Sequence, residues 1–152
     1  MTQITGALSA VAAEVQYSAN GTAWTSFGST YSKVSPGDSA RMSGEVYTFD
    51  GDTPIVTYGK LEPVEVTFTL VYTEGASDEY KVLEDFHIAA AGTAIYLRWV
   101  PKGLTAGNFA FSTGSCKITN WKRSEVDASS GDPLIAEFTV KTASITRSAY
   151  AT

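Results

Sequence analysis

Hydrophobic and polar residues alternate most regularly between Val64 and Tyr72. Val64, Val66, Phe68, Leu70 and Tyr72 fall on one side, with Glu65, Thr67, Thr69 and Val71 on the other. Successive side chains of a strand point to opposite faces, so this stretch reads as a half-buried strand. Glu74-Gly75-Ala76 interrupts it, and the period then lengthens. Val82, Leu83, Phe86 and Ala90 recur at three- and four-residue spacings, leaving Glu79, Lys81, Glu84 and Asp85 for solvent. That spacing predicts an amphipathic helix over 77–91, flanking a sheet. Ser77 is placed to cap its first turn, Asp78 and Glu79 suit the positive end of its dipole, and Gly92 suits a left-handed stop.

The remaining segments are mostly strand-like. Ile4 and Leu8 are the large residues of an otherwise small-residue arm. Val11, Ala13, Val15 and Tyr17 alternate as a first strand, Asn20-Gly21 marks a hairpin turn, and Trp24 and Phe27 belong to the returning strand. From Gly28 to Lys60 glycines and prolines break the pattern, and the segment reads as one long loop or hairpin extension. Within it, Val46–Phe49 and Ile55–Tyr58 could pair across Asp50-Gly51. A connection of this length usually has a function, and its apolar residues require burial, if need be on another subunit. Beyond the helix, strands are expected at 95–100, 109–111, 116–121 and 134–141, with a final run containing Ile145 and Tyr150. Many strands around one helix predict a mainly β domain, a sandwich or barrel with a flanking α-helix.

The chain has 152 residues and a mass of 16.2 kDa, which suits one domain over 1–152. A net charge of -5 without a basic run argues against a general nucleic-acid-binding surface. The N-terminal segment lacks a signal-peptide pattern, and no window is apolar enough for a bilayer span, so no membrane association is expected. Catalysis has no foothold. His87 lies beside the helix stripe, Cys116 reads as a small buried hydrophobe, and neither belongs to a metal-ligand or nucleophile motif. Asp38, Asp50 and Asp52 could meet a calcium ion at a turn, but solvated turn acids explain them as well. No cofactor is indicated. An immunoglobulin-like or carbohydrate-binding module is the alternative architecture, with Trp24, Trp99 and Trp121 as its platform.

TFDGDTPIVTYGKLEPVEVTFTLVYTE (48–74) followed by EYKVLEDF (79–86) resembles the major tail tube protein of long, non-contractile-tailed bacteriophages. SANGTAW, AIYLRWVP and VDASSGDPLIAEFTVKTASIT continue the same plan, so the resemblance spans about Val11 to Thr146. Related folds also build tail terminators and the central hub. The resemblance implies a non-enzymatic virion protein whose hexameric rings stack into a tube through which DNA passes without specific binding. It implies self-association and contact with other tail proteins, such as the tape measure and terminator. Mapped onto this chain, it makes Glu65, Thr67, Thr69, Glu137, Thr139 and Lys141 lumen-facing candidates. It places Tyr31, Val34, Met42, Tyr47, Phe49, Ile55 and Tyr58 in an inter-ring stacking loop over 28–60. A neutral or acidic lumen is expected, because one that gripped phosphates would retard transit.

Overall fold

A computed structural model describes residues 6–27 and 30–151. Ile4 and Gly28 lie outside the described residues. Among the described residues, ten strands and one α-helix follow in the order β1 (Glu14–Ser18), β2 (Thr25–Ser26), β3 (Tyr31–Pro36), β4 (Arg41–Val46), β5 (Ile55–Leu61), β6 (Val64–Val71), α1 (Glu79–Ile88), β7 (Ile95–Val100), β8 (Phe109–Lys122), β9 (Ile135–Thr142) and β10 (Thr146–Ala149). The main sheet has the antiparallel order β2-β1-β7-β8-β9-β6-β3, with β10 also on β8. Its hinge is β8, whose first half pairs with β7 and β10 and whose second half pairs with β9. Bulges opposite Tyr96/Arg98 and at Ile118/Asn120 allow the sheet to fold into a β-sandwich.

The alternating residues of β6 and β9 account for the interior. Val66, Phe68, Leu70, Phe138 and Val140 are buried, facing Val15, Ile95, Leu97 and Trp99 from the other layer. Phe68 stacks on its cross-strand partner Phe138 at 5.0 Å and meets Trp99 edge-on at 6.1 Å, which joins the two layers through one ring.

The helix is shorter than 77–91, and Asp78 rather than Ser77 occupies its N-cap. The Asp78 carboxylate accepts from the backbone N–H of Gly75 instead of capping the helix. Gly92 does adopt the left-handed conformation, with φ 69°. Leu83 is buried and Phe86 half-buried as expected, Ala90 is exposed, and Tyr80 joins the core against Trp121. The expected first strand also starts later. Residues 10–12 form a 3-10 turn, leaving Val11 almost fully exposed. No helix among the described residues is long and apolar enough to cross a membrane.

The segment 28–60 divides in two. Its first part becomes β3, hydrogen-bonded to β6, and β4–β5 form a separate two-stranded sheet that projects from the domain. The junction is continuous: Gly37 N–H donates to the Glu65 carbonyl at 2.7 Å, and Glu62 N–H donates to the Ala40 carbonyl at 2.9 Å. A Cβ on Gly37 would lie 2.5 Å from that Glu65 oxygen, so a larger residue could not hold this approach. Residues 31–71 therefore make one long ribbon, with its inner half in the sandwich and its outer half in solvent.

Candidate assembly surfaces

The six lumen-facing candidates come together. Glu65 lies opposite Lys141, Thr67 opposite Thr139, and Thr69 opposite Glu137. The central pair shares a hydrogen bond between its hydroxyls at 3.0 Å. Thr69 is buried, so it adds little to the surface. Neighbouring strands extend the same face with Lys33 and Ser35 from β3 and Lys117, Asn120 and Lys122 from β8. These were not singled out in the sequence, because their place depends on register across three strands. Four lysines and two glutamates carry its formal charge, so the face is net basic. Lys117 stands opposite Lys141 and turns its ammonium to the Ala91 carbonyl at 2.8 Å.

The stacking candidates separate into two groups. Tyr31 and Val34 sit on β3 and pack against the core, because β3 completes the sheet beside β6. Tyr31 is held between Phe27 and Phe68, and its hydroxyl is buried without a hydrogen-bond partner. Burial pushes that phenol well above its usual pKa. Met42, Tyr47, Phe49, Ile55 and Tyr58 are instead exposed on the ribbon, together with Val46, Val56 and Leu61. Large apolar groups are thus concentrated on a two-stranded projection, where a pair of strands alone cannot bury them.

The other candidates are structural. Trp99 and Trp121 are each only 8 % exposed, and Trp24 is covered by the Arg98 guanidinium at 4.2 Å. These three tryptophans therefore make no open platform, which removes the feature the carbohydrate-binding alternative requires. His87 Nδ1 lies 3.3 Å from the Ile118 carbonyl, and its ring stacks on Trp121. Cys116 Sγ donates to the Ile95 carbonyl at 3.3 Å, and burial raises the thiol pKa. Among the described residues, Asp38, Asp50 and Asp52 do not gather, and no three His, Cys, Asp or Glu side chains could hold a metal ion.

The fold is shared with chains of tail tubes and injection-system assemblies. In particular, a chain of the sheath–tube complex of the PVC extracellular contractile injection system superposes with a TM-score of 0.74 at 12% identity, covering 96% of this chain and 94% of that one. A chain of the SPP1 tail tube gives 0.66 at 15% identity, covering 96% and 81%. A chain of the native gene transfer agent virion gives 0.64 at 9% identity, covering 95% and 100%. No protein-family model and no curated protein matches the sequence. The likeness is one of fold.

Proposed function

We propose that this chain is a non-enzymatic structural subunit of a phage tail tube, residing in the virion, and that six copies form each ring. The observation that carries the reading is the β4–β5 ribbon, whose large apolar side chains stand half to fully exposed. The shared fold supports it. Sheet edges invite strand addition, and closing subunits into a ring gives each edge a neighbour. In this reading the β6–β9 face, from Glu65 to Lys141, lines the lumen. The ribbon stacks successive rings, tape-measure and terminator proteins are further partners, and DNA passes during ejection. The resemblance of 48–74 and 79–86 favours the non-contractile type, although the fold is common to contractile systems as well.

Electron microscopy of concentrated protein, with and without tail-initiation proteins, tests the proposal. Stacked six-fold rings are the expected result; monomers under every condition would overturn it. A second reading, the tube terminator, is favoured by TM-scores of 0.73 and 0.74 to chains of the anti-feeding prophage tube-terminating cap and the PVC sheath/tube terminator. Repeated stacking distinguishes them, because a terminator stops at the end of a tube.

A further inference from the structure

Between the 3-10 turn at residues 10–12 and β3 lies a recess of about 500 Å³, large enough for an aromatic side chain. Val11, Val15, Val34, Pro36, Trp99 and Pro101 supply most of its apolar wall, and Lys33 is its one charged lining residue. Tyr31 also lines it, with its buried hydroxyl unpartnered. The same chain carries a matching protrusion, since Tyr47 and Phe49 stand at the ribbon tip and Phe49 is fully exposed.

A chain cannot fill its own recess with its own tip. Pro36 lines the recess, and from there the ribbon runs outward through Gly37 and Ala40 into the Arg41–Leu61 pair. At about 3.3 Å per strand residue, the tip stands on the order of 25 Å beyond Arg41. Folding it back would break the bonds that continue the ribbon into the sandwich.

We propose that the ribbon tip of one copy, led by Phe49, seats in this recess on the next copy. This deepens the tube reading and rests on it. Eight large apolar side chains stand exposed along the ribbon, and a stable interface takes roughly 800 Å² from each partner. Protrusion and recess occupy different parts of the subunit, so the contact is head-to-tail and propagates from copy to copy.

Cross-linking tests it. Phe49→Cys is combined with Val11→Cys, both exposed positions, while the buried Cys116 is left in place. Oxidising concentrated protein should give a covalent ladder beyond the dimer that collapses on reduction, whereas each single variant should stop at the dimer. Phe49→Ala should keep the monomer's melting temperature and raise the concentration for half-assembly at least tenfold. Rings or tubes that form without a ladder, or a Phe49→Ala chain that assembles as readily as the parent, would overturn the docking and leave the tube reading standing. A chain that remains monomeric throughout overturns both.

Discussion

Tyr31 shows how much one residue's environment departs from its local pattern. It follows the irregular stretch after Phe27 and precedes Ser32 and Lys33, so the sequence around it reads as loop. The fold instead places it between Phe27 and Phe68, with its hydroxyl buried and unpartnered. An unsatisfied buried polar group costs about 1–3 kcal/mol. Tyr31→Phe should therefore leave the isolated subunit as stable or more stable by about 1 kcal/mol, measured by urea denaturation. The pH dependence has a definite sign. The folded phenol has a raised pKa, so its contribution is intact below the unfolded value of 10.0 and is lost as pH climbs from there towards the folded pKa. Thermal melts above pH 10 should show a loss of stability that is smaller in Tyr31→Phe. By contrast, the inward positions of β6 and β9 were legible, because strict alternation names a face without knowledge of the partner strand. Phe68→Ala should cost about 3–5 kcal/mol by the same denaturation measurement.

Among the elements, the ribbon was the most instructive. Asp50-Gly51 does centre its register: Val46 pairs with Ile55, Glu45 with Val56 and Gly44 with Thr57. The ladder nevertheless stops at Val46, so Tyr47, Thr48 and Phe49 stand free of the expected strand. Pro54 would face Tyr47 in this register and has no N–H to donate. Pro63 likewise separates β5 from β6 and disguises one ribbon as a loop and a strand. The helix ends were less legible than its existence, because the Asp78 carboxylate turns to Gly75 and begins the helix one residue later than Ser77 suggests. Replacing Met42–Lys60 with an Asn-Gly turn would join Arg41 to Leu61, which already face one another. The shortened chain should retain a cooperative melt and lose polymerisation, checked by calorimetry and electron microscopy. Loss of folding would show that the ribbon supports the sandwich.

On the scale of the whole molecule, the sequence indicated one β domain with a flanking helix, but it could not show how β8 joins the layers. That join depends on β8 changing partners halfway along, which no periodicity records. The charged face was hidden for the same reason, since Lys33 and Lys122 reach it through pairings with β6 and β9. Glu65→Lys with Glu137→Lys would place like charges opposite Lys141 and Lys122. Each change should lower stability by up to about 1 kcal/mol at low salt. If this face lines the tube, particles should also eject DNA more slowly, with partial recovery at higher ionic strength, as a DNA-release assay would register. Normal ejection from intact tubes would place the face elsewhere. The ribbon finally bears on timing. Its strands are formed before any partner arrives, so docking orders little new chain and saves the entropy that a floppy loop would lose. The moment of tube growth would then be governed by subunit supply and by the first ring that offers a place to land, not by a switch within each molecule.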